Sequence, residues 1–139
     1  VDFISVGSND LTQYLLAVDR NNPRVANLYS AFHPAVLSAL QQVVNAAQAE
    51  GKHVSICGEM AGDPGAAILL MAMGYDVLSM NAASLLKVKS VLRSITLDVA
   101  EELLENVMRL DDAQMVRSAV DLALYNAGVD RLLRSSRTN

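Results

Sequence analysis

Four residues of this chain have the types and setting to do chemistry on an anion: Asn9, Asp10, Arg20 and Cys57. Cys57 is the only cysteine and ends an apolar run, His53 to Cys57. Gly58 follows it, and a small residue there lets ligand or backbone approach closely. A thiol so placed serves as a general acid or a nucleophile; the other reading is a small buried hydrophobe. No basic residue lies within the ten positions after Cys57, so a neutral thiol and the acid role are expected near neutral pH. Asn9 and Asp10 belong to Gly7-Ser-Asn-Asp10, a polar turn that closes an earlier apolar run in the same way. Asp10 reads as a ligand for a hard divalent cation, with Asn9 donating to a phosphate oxygen, or as a plain helix cap. Arg20 lies ten residues later and its planar fork suits a phosphate or carboxylate; the alternative is a surface arginine paired with Asp19 or Asp63. The two turns together read as two walls of one anionic-substrate site.

Other polar residues say less. His33 precedes Pro34 and reads as a cap, His53 opens a strand and is expected to be exposed, and neither has a partner at metal-ligand spacing. Glu59 is placed to orient a neighbour or to bind a backbone amide. Met60, Met71, Met73 and Met80 read as core filler. Gly58-Glu-Met-Ala-Gly62 lacks the Gly-Lys-Ser/Thr ending of a P-loop.

The elements that must position these residues follow from periodicity. Val1 to Val6 is an apolar, β-branched run without clean alternation, which predicts a strand covered on both faces. Ser8, Asn9 and Asp10 are cap types, and a helix is expected over Leu11 to Val18. A polar loop through Asn22-Pro23 follows, then one helical turn over Val25 to Tyr29. Pro34 opens a helix with Val36, Leu37, Leu40, Val43, Val44 and Ala47 at helical spacing, stopped by Gly51. After the His53 strand, Asp63-Pro64 opens a nearly all-apolar helix to Met73, which must be buried. Val77 to Met80 is a third strand. Ser84 caps a helix with Leu85, Val88, Leu92 and Ile95 as its stripe and Lys87, Lys89 and Arg93 outside it. Asp98 opens a helix with Leu103, Leu104 and Val107. Asp111 or Asp112 opens the last, with Val116, Ala119, Val120, Ala123 and Leu124 on one side. Arg131, Arg134 and Arg137 lie in a tail expected to fray.

Strand and helix thus alternate to Ile95, implying an α/β fold with parallel strands. Three strands fit the closing part of an eight-stranded barrel better than a complete sheet, with an open doubly wound sheet as the alternative. In either, ligands bind at the carboxyl ends of the strands, where Asn9, Asp10, Cys57, Ser79 and Asn81 fall.

Composition narrows the classes. With 52% apolar and 19% charged residues, the chain of 139 residues is one globular domain. A net charge of −4 gives no footprint for nucleic acid. No apolar run reaches membrane-spanning length, no basic stretch precedes Val1 as in a signal peptide, and one cysteine cannot form an internal disulfide; the cytoplasm is the expected compartment. Val1 is not a start methionine, so a piece of a longer protein is expected.

Three motifs carry a family resemblance: Ser5-Val-Gly-Ser-Asn-Asp-Leu-Thr-Gln-Tyr14, Leu16-Ala-Val-Asp-Arg20 and Cys57-Gly-Glu-Met-Ala-Gly-Asp-Pro64. In order and spacing they resemble the phosphoenolpyruvate-binding domain of enzyme I, the phosphoenolpyruvate–protein phosphotransferase of the bacterial phosphotransferase system. Val1 to Gly7, Asn21 to Asn27 and Gly74 to Asn81 are most similar to its nitrogen-related paralogue. The resemblance implies the C-terminal part of a (βα)8 TIM barrel: βα units over 1–95, then C-terminal helices and tail over 96–139. It implies phosphoryl transfer from phosphoenolpyruvate to an enzyme histidine and on to a histidine phosphocarrier protein, releasing pyruvate. Cys57 matches the acid that protonates the enolpyruvate carbon, Asn9 a phosphoenolpyruvate contact, Arg20 a phosphate-binding arginine and Asp10 a ligand of Mg2+. It also implies a homodimer. The family's second magnesium ligand, its further arginines and its phosphorylated histidine have no match here, so the chain alone is expected to be inactive and to bind phosphoenolpyruvate weakly or not at all. The alternatives are a relative of pyruvate phosphate dikinase or phosphoenolpyruvate synthase, and a non-catalytic dimerisation or sensing module on the same scaffold.

Overall fold

Three short runs rich in β-branched residues become three parallel strands, β1 (Phe3–Gly7), β2 (His53–Cys57) and β3 (Val77–Ser79). They lie side by side in chain order, with β2 in the centre. The computed structural model describes residues 1–129; the arginines expected to fray, Arg131, Arg134 and Arg137, lie outside the described residues. Register sets Phe3 beside His53, Ser5 beside Ser55 and Val77, and Gly7 beside Cys57 and Ser79. Because side chains alternate along a strand, these residues share one face. The opposite face carries Ile4, Val6, Val54, Ile56 and Leu78, and all five belong to or pack against the hydrophobic core.

Only that second face is covered. Phe3 is 66% exposed and Val77 55%, so the expectation that the first strand is covered on both faces is corrected. A continuous apolar run signals a strand but does not say how many layers enclose it.

The helices are α1 (Ser8–Leu16), α2 (Pro34–Ala49), α3 (Glu59–Gly62), α4 (Pro64–Met73), α5 (Ala82–Ser94), α6 (Leu97–Val107) and α7 (Ala113–Asn126). A 3-10 turn over Ala26–Leu28 sits where one helical turn was expected. Pro34 and Pro64 each stand in the first turn of a helix, where the missing N–H is not needed. α4 is the hub of the core: Gly65 through Leu70 and Met73 are all buried, and α5, α6 and α7 pack against it. Fully burying each of Ile68, Leu69 and Leu70 stabilises the fold by about 1.5–3 kcal/mol. Val107, Val116 and Val120 join the same core cluster, so the last two helices are integral to it. Met60 and Met73 are core residues as expected.

Three helix starts differ from expectation. α1 begins at Ser8, with Gly7 as the cap residue and no side-chain cap. α5 is capped by Asn81, whose Oδ1 accepts from the Ser84 amide, and not by Ser84. α6 is capped by Thr96, which leaves Asp98 in the first turn. Gly7 is the last residue of β1, Asn81 lies two residues past β3 and Thr96 follows the bend at Ile95, so each helix starts close behind the element before it. The stripe of α5 is also rotated: Val88 and Val91 are buried, while Leu85 is 52% exposed.

Candidate functional site

Both polar turns close their strands at the same level, because Gly7 and Cys57 are partners in the β1–β2 ladder. Starting α1 at Ser8 frees two of the side chains that were expected to cap it: Ser8 reaches the end of β2 and Asn9 the start of α3. Ser8, 1% exposed, donates through Oγ to the Cys57 carbonyl at 2.8 Å. Thr12, also buried, donates to the Ser8 carbonyl at 2.8 Å. Asn9 Oδ1 accepts from the Glu59 amide at 3.2 Å. The plain-cap reading of Asp10 therefore fails. Asp10 stands in the first turn of α1, where a carboxylate suits the helix dipole, but no side-chain cap bond forms.

Gly58 is what lets the turns meet. Its φ is 106°, and a Cβ on it would stand 2.5 Å from Ser8 Oγ and 3.1 Å from Asn9 Oδ1. A side chain is excluded both by conformation and by space. After Gly58 the chain makes α3, a single turn the sequence pattern did not reveal, which buries Met60 and Ala61 and ends at Asp63.

A cleft of about 650 Å³ opens at this carboxyl edge of the sheet, within the size range of small-molecule sites. It is lined by Asn9, Cys57, Glu59, Asp63, Ser79, Asn81, Ser84 and Lys87, with Gly58, Gly62, Pro64 and Met80. The structure thus brings Asn9 and Cys57 together, with Ser79 and Asn81 at the end of β3. The Cys57 thiol is exposed, so the buried-hydrophobe reading does not hold. Asp10 and Arg20 are also exposed and do not line this cleft. Arg20 follows a sharp reversal at Ala17, which takes the left-handed conformation (φ 53°) at the end of α1. The alternative reading, a surface arginine paired with Asp19 or Asp63, finds the exposure but neither pair among the described residues; Asp63 instead holds Arg117 at 2.9 Å.

Lys87 is the cleft residue that the sequence reading set aside. It was grouped with Lys89 and Arg93 as outside the apolar stripe, yet it sits one turn after Ser84 on the α5 face that borders the cleft. Its signal was helical spacing from Asn81 and Ser84 behind a strand end. Arg117 was missed because its partner Asp63 is 54 positions away. Its charge is opposed by burial, but the hydrogen bond to Asp63 and then the charges of Asp63 and Asp121 outweigh that and raise its pKa.

The histidines keep structural roles. His33 Nδ1 accepts from the Ala35 amide at 3.1 Å, capping α2. His53 is exposed at the far end of β2 from Cys57, with Nδ1 3.5 Å from Asp76 Oδ2. The Val54 amide donates to Asp76 at 2.8 Å; that bond first, and His53 after it, hold Asp76 below the usual carboxylate range against opposing desolvation. Burial raises Tyr75, whose hydroxyl donates to the Leu40 carbonyl at 3.2 Å. Among the described residues no three His, Cys, Asp or Glu side chains converge as a metal site, and no helix is long and apolar enough to cross a membrane.

Comparison with known proteins adds an independent finding. Residues 1–97 match the family described as PEP-utilising enzyme, PEP-binding domain. The chain is 47% identical over 134 residues to the phosphoenolpyruvate-dependent phosphotransferase system protein of Escherichia coli K12, covering 96% of this chain and 18% of that protein. It is 47% identical over 120 residues to the phosphoenolpyruvate-protein phosphotransferase of Bacillus sp. strain S, covering 86% of this chain and 21% of that protein. With the Haemophilus influenzae phosphoenolpyruvate-protein phosphotransferase the identity is 42% over 121 residues, again 21% of the relative. The chain therefore spans about a fifth of the length of the curated relatives it matches.

Proposed function

The chain belongs to the PEP-utilising enzymes, in their PEP-binding domain, and from that premise we propose that it supplies one side of the active site of a phosphoenolpyruvate–protein phosphotransferase. The observation that carries this is the cleft that joins Asn9 and Cys57 across two hydrogen-bonded strand-end turns. The longer enzyme would transfer the phosphoryl group of phosphoenolpyruvate to one of its own histidines, pass it to a histidine phosphocarrier protein and release pyruvate. Cytoplasmic location, a homodimer and a place in the nitrogen-related branch belong to the same reading.

Cys57 is proposed as the acid. As the bond between the phosphorus and the enol oxygen breaks, the electron pair stays with the enolate, and its terminal carbon takes the proton from Cys57 Sγ to give pyruvate. The exposed thiolate then regains a proton from solvent. With Oδ1 of Asn9 held by Glu59, Nδ2 is its remaining donor for a phosphate oxygen. Arg20, beyond the reversal at Ala17, is proposed to neutralise charge on the moving phosphoryl group. His33 and His53 are not the acceptor: one caps α2, and the other stands at the opposite end of β2.

Asp10 is proposed as one ligand of Mg2+. One exposed carboxylate does not satisfy an ion that takes six oxygen ligands, and no metal-binding cluster exists among the described residues. This chain alone does not fit the ion, and the other ligands belong to the rest of the proposed enzyme.

The (βα)8 barrel is likewise proposed. It is supported by strands that neighbour one another in chain order, all parallel, with one face covered and the other open. A doubly wound sheet has helices on both faces. In this reading residues 1–95 form the closing βα units and 96–139 the C-terminal helices and tail.

The test is substrate dependence in the longer enzyme. Phosphoenolpyruvate with Mg2+ alone is expected to give pyruvate and an acid-labile phosphohistidine. A requirement for a nucleotide would favour a dikinase or synthase instead, and no phosphorylation would leave a non-catalytic scaffold.

A further inference from the structure

α7 lies beyond residues 1–97 that match the family, yet it reaches the Asp63 end of the turn that follows Cys57, a turn otherwise packed by α1, α4 and α5. Two contacts put it there. Arg117 Nη1 donates to Asp63 Oδ2 at 2.9 Å. One turn on, Val120 Cγ1 stands so close to Gly65 that a Cβ on that glycine would meet it at 2.5 Å. Asp63 is the junction between α3 and α4. Its amide donates to the Met60 carbonyl at 3.2 Å, and its Oδ1 accepts from the Gly65 and Ala66 amides at 2.8 and 2.9 Å. One carboxylate oxygen thus holds the start of α4, and the other is held by α7.

Arg117 is itself fixed on three sides. Its Nε lies 3.1 Å from Asp121 Oδ1. Its guanidinium carbon sits 4.8 Å from the centroid of the Phe32 ring, and Phe32 is buried. A planar cation gripped by two carboxylates and an aromatic face has few rotamers left. With the Arg117 side chain 45% and the Asp63 side chain 29% exposed, the hold comes from this network of partners and not from burial.

We infer that Arg117 is a positioning residue for Cys57: it clamps Asp63 and so holds the one-turn helix α3, which connects Cys57 and Gly58 to the body of the core. The role in catalysis rests on the proposed function above; the clamp rests on the geometry alone. Arg117 touches no substrate and is not a catalytic residue. The C-terminal helices then do more than complete the core, because their removal or displacement loosens the wall of the cleft that bears the thiol.

Two measurements test this separately. The first is amide hydrogen exchange on this chain with Arg117→Met and Arg117→Lys. Arg117→Met is expected to speed exchange at Met60 to Ala66 by about tenfold relative to wild type while Val54 to Ile56 are unchanged, the pattern of local opening. Arg117→Lys, which keeps the charge and loses the fork, should fall between. Equal acceleration in the turn and the strand, or none in either, would overturn the clamp. The second is steady-state kinetics of the longer enzyme carrying Arg117→Met. A fall in kcat of about tenfold with KM for phosphoenolpyruvate within about twofold is expected for a misplaced proton donor. A rise in KM with kcat unchanged would overturn the assignment to Cys57. Normal turnover of Cys57→Ala, with the exchange pattern as expected, would overturn the proton-donor reading and leave the clamp standing.

Discussion

With Ser8 on the Cys57 carbonyl and Asn9 on the Glu59 amide, the residues around the thiol are set by bonds between two distant stretches of chain. The same economy shows at the other end of β2. Asp76 accepts from the Val54 amide and neighbours His53, and its pKa is lowered. A carboxylate with a depressed folded-state pKa contributes stability above its unfolded value of about 3.9 and loses it as pH falls through the folded value. Acid titration of stability is therefore expected to show a loss below about pH 4 that Asp76→Ala reduces; identical acid profiles for both proteins would contradict it. At this scale the sequence was informative about type and not about partners. Asn9, Cys57, Ser79 and Asn81 were legible as strand-end residues because a run of apolar residues followed by a polar or glycine turn has one common meaning. Lys87 was not, since a lysine outside an apolar stripe looks the same whether it faces bulk water or a cleft. Arg117 could not be found, because nothing local announces a partner 54 positions away.

The element that decides the site is the turn from Gly58 to Asp63. It is held open by glycine at one end, folded into α3 in the middle and capped by Asp63 at the other. Gly58→Ala must place a Cβ at φ 106° and 2.5 Å from Ser8 Oγ. A loss of about 1–3 kcal/mol is expected from the backbone conformation, with the contact adding to it. Urea denaturation measures it: the midpoint should fall while the slope stays constant. An unchanged midpoint would show that the turn relaxes freely. Most elements were legible from period and punctuation: the long apolar α4, the prolines that open α2 and α4, and the order of strands and helices. α3 was not, because a single helical turn has no period to read. The starts of α1, α5 and α6 shifted because several residues near each start are good caps, and the strand or bend in front of the helix decides which one is used.

At the scale of the molecule, one sheet face is packed and the other is open. Phe3 and Val77 lie on the open face, and Leu97, Val99, Met115, Leu122 and Tyr125 are exposed on the last two helices. Parallel strands are normally covered on both faces, and among the described residues β1 and β3 have no outer neighbour. This chain by itself is therefore expected to self-associate, and light scattering showing a clean monomer across concentration would contradict that. The same incompleteness predicts weak or undetectable binding of phosphoenolpyruvate with Mg2+ by calorimetry on this chain. Micromolar, magnesium-dependent binding would mean that the described residues already form a whole site. The α/β class with a parallel sheet was legible at this scale, since alternating strands and helices leave few arrangements. The open face was not, because coverage depends on chain that contributes no local pattern.

Cys57 is proposed to deliver the proton that turns the enolate into pyruvate, and single-turnover pyruvate formation by the longer enzyme carrying Cys57→Ala tests that role. Loss of a positioned general acid is expected to slow that step by about 100-fold or more, with phosphoenolpyruvate binding retained because the proposed contacts Asn9, Asp10 and Arg20 are untouched. Pyruvate formed at close to the wild-type rate would leave Cys57 with no part in the chemistry.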